Sequence, residues 1–333
     1  MTLSSDLRGV FQDAAVVALP TRTDFRGISV REAFLFRGTH GWSEFSPFVE
    51  YGSKESKVWL QAAIEGAYQP WPQFFRTDIA INATLPRISP NEVPDFLSRF
   101  PGCTTVKMKV NDFISDADRL EAVLDQIPDA KIRLDVNGGW SLHEALLYLH
   151  DYNLRFGKVF EYVEQPCESL SDLAKLRAEI PFPIAVDESI RKNLSGDLQE
   201  LSAIADVAVI KWAPSGGISA AHKLISEINL PVVVSSALET SIGISHNLAL
   251  AASLPELTFA CGLGTLALLN GDIAEDPLIV DSGRISVRRV HVNAELLEKY
   301  RAAPEREAWW HNRMESLWDE EFALHIDKLG WLK

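Results

Sequence analysis

Six charged residues in the middle of the chain, Lys107, Lys109, Asp135, Glu164, Asp187 and Lys211, each stand at the end of a short apolar, β-rich run. From Lys107 onward the intervals are 28, 29, 23 and 24 residues. That is about the length of one strand–helix unit in a (β/α) barrel, whose catalytic groups sit at the carboxyl ends of successive strands. Three carboxylates gathered at one barrel mouth repel one another unless a hard divalent cation lies among their oxygens, and Mg2+ is the natural choice. The lysines flank them, Lys107 and Lys109 one strand before and Lys211 one strand after. Lys107 and Lys109 point the same way along their strand. Two ammonium groups beside a cation should depress each other's pKa, which suits one of them to general-base work near neutral pH.

The runs carrying these groups, residues 104–110, 131–134, 159–163, 184–186 and 207–210, read as strands. Between them, residues 116–127, 142–152, 170–180 and 219–228 place leucine and alanine at helical spacing. Strands alternating with helices imply a parallel sheet with right-handed crossovers. Further strands near residues 232–235 and 258–260 extend the barrel, which is expected from about Thr104 to about Gly264. Ahead of it, residues 14–48 alternate as an antiparallel meander would, and residues 54–68 form a helix stopped by Pro70 and Pro72. Residues 293–333 suggest long helix, with Trp309, Trp310, Trp318 and Trp331 as packing anchors. With a boundary-like composition at residues 88–94, the expected organisation is a cap over 1–90, a barrel over 91–290 and a helical segment over 291–333 that braces the cap.

At 333 residues and 47% hydrophobic content the chain can fill a large core. Its 32 basic and 46 acidic residues leave a net charge of −14, which disfavours nucleic acid or an anionic membrane as a partner. The amino terminus lacks the features of a signal peptide and no apolar stretch reaches spanning length, so a cytoplasmic location is expected. Cys103, Cys167 and Cys261 are scattered and form no C-x-x-C, as buried reduced thiols would. His246 falls near a helix start and is expected to be buried and hydrogen-bonded. Nucleotide-binding, acyl-ester and zinc-protease motifs are absent from the sequence.

Taken in order, Lys107-Met108-Lys109, Asp135-Val136-Asn137, Glu164-Gln165-Pro166, Asp187-Glu188-Ser189 and Ile210-Lys211 resemble the enolase superfamily, in its muconate lactonizing enzyme subgroup, over nearly the whole chain. The stretches Gly41-Trp42-Ser43-Glu44-Phe45-Ser46-Pro47-Phe48, Ser215-Gly216-Gly217-Ile218 and Ser235-Ser236-Ala237-Leu238-Glu239-Thr240-Ser241 are similar to a dehydratase branch of that subgroup, of a short actinobacterial type that serves menaquinone biosynthesis. The resemblance implies an α/β fold, a modified (β/α)8 TIM-type barrel of (β/α)7β form with an α+β amino-terminal capping domain. It implies Asp135, Glu164 and Asp187 as Mg2+ ligands, with Asn137 and Glu188 orienting lysines and metal from behind.

The reaction it implies is loss of water from a small-molecule carboxylate, 2-succinyl-6-hydroxy-2,4-cyclohexadiene-1-carboxylate. Lys109, beside Lys107, would take the proton α to the ring carboxylate and return it to the leaving hydroxyl on the same face. Mg2+ would hold the anion formed between these steps, and Lys211 would stabilise it as a cation from the other face. The same lysine pair could equally racemise an N-succinylamino acid or epimerise a dipeptide, although no Asp pair follows Ser235 to receive a dipeptide ammonium. A non-catalytic binding barrel is a third reading, against which the retained lysines and carboxylates count. A monomer and a homo-oligomer are both compatible with the sequence.

Two softer sites complete the expectation. Ser215, Gly216 and Gly217 open a helix, so their amides could receive the succinyl carboxylate or make a plain tight turn, while Ser235 and Ser236 are expected to line the pocket. Residues 21–27 are polar and Gly-ended, as a loop closing over substrate or an ordinary hairpin connection would be.

Overall fold

Strand alternation builds the cap first. The computed structural model describes residues 5–25, 27–192, 198–318 and 320–332. Strands β1 (Gln12–Phe25), β2 (Ile28–Gly38) and β3 (Gly41–Phe45) form an antiparallel sheet in that order. Ala33 through Phe36 on β2 are all buried, so both faces of this sheet are covered. Helix α1 (Ser53–Tyr68) packs on β2 and β3. Carboxyl-terminal aromatic residues contribute too, with ring centroids 5.4 Å apart for Phe34 and His311 and 5.9 Å for Phe45 and Trp310. Thr21 to Phe25 continue β1, and Thr21 Oγ1 donates to the Ile28 carbonyl at 3.2 Å. Of the segment expected as a closing loop, these residues therefore belong to the hairpin, and Arg26 lies outside the described residues.

After a short strand β4 (Asp78–Ala80), seven parallel strands follow, each paired with the next: β5 (Ala83–Leu85), β6 (Thr105–Lys109), β7 (Lys131–Asp135), β8 (Phe160–Glu164), β9 (Ile184–Val186), β10 (Val207–Ile210) and β11 (Val232–Val234). Parallel bridges from Ser235 to Gly262 and from Cys261 to Ile81 join the last strand back towards the first and close the barrel. A final strand β12 (Arg284–Ser286) pairs with β4. The sheet thus begins at Ala83, not at Thr104. A three-residue strand carries no readable period, which is why the sequence concealed it.

The longer crossover helices are α2 (Phe113–Gln126), α3 (Leu142–Phe156), α4 (Leu170–Glu179), α5 (Ile218–Ile228) and α6 (Ser241–Ser253). Asp112, Ser141 and Ser169 cap the first three, each side chain accepting from an amide three residues on.

Inside the barrel, Tyr162, Ala185, Val207, Val209 and Val233 pack together with Phe259 as an apolar cluster of their own. Two residues further along the same strands stand Glu164, Asp187, Lys211 and Ser235. Because side chains repeat every second residue, the apolar layer is the floor of a charged mouth. Arg133 completes that floor without exposure. It donates to Asn82 Oδ1 at 2.9 Å and to the Ala260 carbonyl at 2.8 Å, and pairs with Glu161 at 2.6 Å.

The carboxyl end forms three helices, α7 (Ala294–Lys299), α8 (Pro304–Leu317) and α9 (Glu320–Leu329), where one long helix was expected. The break comes from pairing with the cap: Ala18 N donates to the Tyr300 carbonyl at 2.8 Å and Ala302 N to the Val16 carbonyl at 2.9 Å, and Pro304 then opens α8. From α8, Trp310 Nε1 donates to Glu32 at 2.9 Å and Arg313 to the Tyr51 carbonyl at 2.8 Å. These contacts tie the segment to the cap.

All three cysteines are free and buried, and no described helix is long and apolar enough to cross a membrane.

Candidate active site

Parallel register brings the charged strand ends level, Lys109 opposite Asp135 and Asp135 opposite Glu164. Counted round the closed barrel, β6 and β10 lie four strands apart, so the lysines of β6 and Lys211 face each other across the mouth. Lys107 Nζ stands 2.9 Å from Asp135 Oδ2 and 3.1 Å from Glu164 Oε1. Lys109 Nζ lies 2.7 Å from the same Asp135 oxygen and donates to Asn137 Oδ1 at 2.6 Å. Asn137 in turn donates to Glu188 Oε1 at 3.1 Å. On the opposite side Lys211 Nζ is 2.5 Å from Asp187 Oδ2. Asp135 and Glu164 are each 1% exposed, so their charges must be compensated inside the protein.

The two lysines of β6 are driven apart electrically. Burial works against the Lys107 charge, but Asp135 and Glu164 hold its pKa well above the usual lysine value. For Lys109, burial and then the neighbouring Lys107 charge outweigh Asp135 and lower the pKa. Lys211 is buried as well, yet Asp187 and Glu188 raise it. The three amines are thus shifted in opposite directions, Lys109 down and Lys107 and Lys211 up. Glu164 is pushed up by burial and by the Asp135 charge, a repulsion that a bound cation would relieve.

Fixed backbone supports this set. Asn137 and Gln165 take left-handed conformations, with φ of 54° and 41°, at the turns leaving β7 and β8. Gln165 Oε1 accepts from the amides of Asp187 and Ser189 at 3.2 and 3.1 Å, which locks the Asp187-Glu188-Ser189 turn. Phe48 of the cap, Thr84 of β5, Ser235, Ser236 and Thr265 line the cleft with the charged residues. Ser236 Oγ and Thr265 Oγ1 are 2.5 Å apart. The cleft is narrow, with a volume of about 30 Å3.

A divalent metal fits the donors present. Asp135, Glu164 and Asp187 offer only hard oxygens, and the buried Asp135 Oδ1 has no hydrogen-bond partner. No three His, Cys, Asp or Glu side chains among the described residues already converge as a ligand set. The ion pairs explain this, since each of the three carboxylates is drawn to a lysine.

Ser215, Gly216 and Gly217 are not brought into this cleft. They do open helix α5, but the carboxylate that meets it is internal: Glu65 of cap helix α1 accepts from Ser219 N at 3.0 Å and from Ser219 Oγ. A Cβ on Gly217, whose φ is +110°, would lie 1.7 Å from Glu65 Oε2. The amides of Ser215, Gly216 and Gly217 themselves donate to the Lys211, Ala213 and Trp212 carbonyls, each at 3.1 Å, so the stretch forms a tight turn ahead of the helix.

Beneath the cleft wall runs a polar seam that the sequence reading left without a role. Glu44 Oε2 on β3 accepts from Thr240 Oγ1 at 2.6 Å and from the amides of Thr240 and Gly243 at 3.1 Å, capping barrel helix α6 from the cap. Arg31 Nε donates to the Leu238 carbonyl at 3.0 Å, and Ala237 N donates to Glu239 Oε2 at 2.7 Å. These bonds fix the turn that carries Ser235 and Ser236. The available signal was an acidic residue, Glu44, on a strand between the core neighbours Ser43 and Phe45. His246 is buried as expected, stacked on Trp212 at 4.5 Å.

Sequence comparison agrees with this architecture. Residues 97–291 match the family described as enolase C-terminal domain-like, and residues 16–67 the one described as enolase N-terminal domain-like. The chain belongs to the enolase superfamily. It is 44% identical over 302 residues to the o-succinylbenzoate synthase of Thermobifida fusca, covering 89% of this chain and 93% of that one. The o-succinylbenzoate synthase of Mycolicibacterium smegmatis is 43% identical over 312 residues, covering 92% and 96%. Muconate lactonizing enzyme from Pseudomonas fluorescens, solved with muconolactone, shares the fold with a TM-score of 0.74 at 18% identity, over 87% of this chain and 98% of that one.

Proposed function

We propose that the protein is an o-succinylbenzoate synthase, a hydro-lyase that removes water from 2-succinyl-6-hydroxy-2,4-cyclohexadiene-1-carboxylate to give 2-succinylbenzoate for menaquinone biosynthesis. The observation that carries this reading is the 44% identity to such an enzyme over 89% of the chain. The opposed lysines supply groups that the chemistry needs. Lys109, whose pKa is lowered by burial and by Lys107, takes the proton α to the ring carboxylate. The C–H electron pair passes into the ring, the C–O bond breaks, and Lys109 returns its proton to the departing hydroxyl, so that water leaves and the ring becomes aromatic. Lys211, kept cationic by Asp187, faces the negative charge from the other side. Lys107 holds Asp135 and Glu164 in place.

Enolase superfamily enzymes generally use a divalent metal; here Asp135, Glu164 and Asp187 would hold Mg2+, which when bound supplies a positive charge for the substrate carboxylate and lowers the barrier to losing its α-proton. Asn137 and Glu188 orient Lys109 through their hydrogen-bonded chain. Ser235 and Ser236 offer hydroxyls to the substrate at the cleft wall. The substrate is a small carboxylate.

The deciding experiment follows the ultraviolet absorbance of the diene with purified protein and Mg2+, beside polarimetry on an N-succinylamino acid. Rapid loss of diene absorbance that EDTA stops is the expected result. Racemisation without dehydration would transfer the same lysines to a 1,1-proton transfer and overturn the proposed reaction.

A further inference from the structure

A sizeable cavity lies away from the lysine cleft, where the β2–β3 turn of the cap meets residues 289–292. It has a volume of about 530 Å3, and its walls include Arg37, His40, Trp42, Arg289 and His291 but no acidic residue. A basic cavity is unexpected on a chain whose net charge is −14. Its size suits a metabolite.

Arg289 sets this cavity apart from a patch of solvated surface. The guanidinium is half-buried, yet no carboxylate pairs with it among the described residues. Its hydrogen bonds run to two carbonyls at the end of α1, Gly66 at 3.3 Å and Gln69 at 3.5 Å, and its face lies 4.3 Å from the Trp71 ring. Burial lowers its pKa to about 10 with no acidic neighbour to oppose the change. An arginine held by two long bonds to carbonyls keeps donors for an anion. Gly41, with φ of +124°, lies beside it, where a Cβ would meet Arg289 Nη1 at ordinary contact, 3.4 Å. Arg37, which also lines the cavity, likewise forms no ion pair with a described residue.

We propose that this cavity is a second ligand site, separate from the catalytic cleft, which binds a small multivalent anion between Arg37 and Arg289. The shared chemistry is two or more negative charges on a compact body, which either a phosphate group or a polycarboxylate supplies. Trp42 and Trp71 lie close enough to report occupancy.

The test titrates inorganic phosphate and, separately, citrate into the full-length protein at constant ionic strength, reading tryptophan fluorescence and melting temperature. Saturable binding is expected, weakened about tenfold or more by Arg37→Gln and by Arg289→Gln, the loss of one charge-assisted contact. The exposed Arg37→Gln variant should keep the turnover of the parent enzyme, so a folding defect in Arg289→Gln would not decide the matter. Tighter phosphate would point to a phosphate ester and tighter citrate to a polycarboxylate, both within the proposal. Three results would overturn it: no saturable response to either ion, binding unchanged in both arginine variants, or binding abolished by Lys211→Ala, which would move the ion to the catalytic cleft.

Discussion

The stability of the cap–barrel seam should depend on pH through one histidine. His246 on α6 is fully buried, and burial, followed by the nearby Arg289 charge, depresses its pKa from 6.5 to about 3. Its hydrogen bonds account for the same preference. Trp71 Nε1 can only donate, and it stands 3.2 Å from Nδ1, so Nδ1 must accept while Nε2 faces the Trp42 carbonyl at 3.3 Å. A second ring proton would set N–H against N–H. Between about pH 6.5 and pH 3 the unfolded chain therefore binds a proton at this position that the folded chain does not. The stabilisation is complete above pH 6.5 and is lost as pH falls through this window, by about 2 kcal/mol at pH 5 and about 5 kcal/mol below pH 3. Glu44 works in the opposite direction, since burial and Glu239 push it up to about 7. The His246 contribution must therefore be read against a His246→Gln variant that retains Glu44. Urea unfolding of both proteins in EDTA, near pH 7.5 and near pH 5, should show the wild-type advantage shrinking by about 2 kcal/mol. An advantage that stayed constant or grew on acidification would refute the neutral, buried imidazole.

Other perturbations separate the roles assigned to the cleft and the seam. Lys109→Ala and Lys211→Ala should each lower kcat by roughly 10^3-fold while Mg2+ binding, measured calorimetrically, persists; near-normal turnover in Lys109→Ala would remove it as the base. EDTA should abolish turnover and added Mg2+ restore it, with Asp187→Asn requiring more Mg2+ for half-maximal rate; metal-independent dehydration would sink the ligand assignment. Glu44→Leu removes an oxygen that meets three donors and should destabilise the protein by about 1–3 kcal/mol in urea unfolding. An unchanged midpoint would mean that the carboxylate does not hold α6.

The charged mouth of the barrel was legible because two periods coincide there. Spacings of 23 to 29 residues follow from the strand–helix repeat, and the period of two within each strand puts Glu164 above Tyr162, Asp187 above Ala185 and Lys211 above Val209. Arg133 obeys the same period beneath Asp135, yet an arginine in a strand gives no sign that it will be fully enclosed. Its burial is set by Asn82, Glu161 and Ala260, which only barrel closure brings to it. The break after α7 was hidden similarly, since Tyr300 and Ala302 leave the helix to bond with β1, nearly the whole chain length away. Glu44 and Thr240 are 196 positions apart, and no local pattern reports such a pairing.

The turn at Ser215–Gly217 brings a cap carboxylate to the start of α5. A glycine turn opening a helix calls for negative charge, because its first amides have no intrahelical acceptor. The fold answers that demand with Glu65, seated so closely that Gly217 has no room for a side chain. Burial raises the Glu65 pKa while Ser219 opposes the rise, so the helix end stabilises a carboxylate that α1 would otherwise bury unpaired. Such a bond fixes the cap against the barrel in a way that a substrate group, present only during turnover, could not. The helix end therefore holds the cap against the barrel, and under the proposed function the substrate carboxylates would meet Lys109, Lys211 and a bound cation instead.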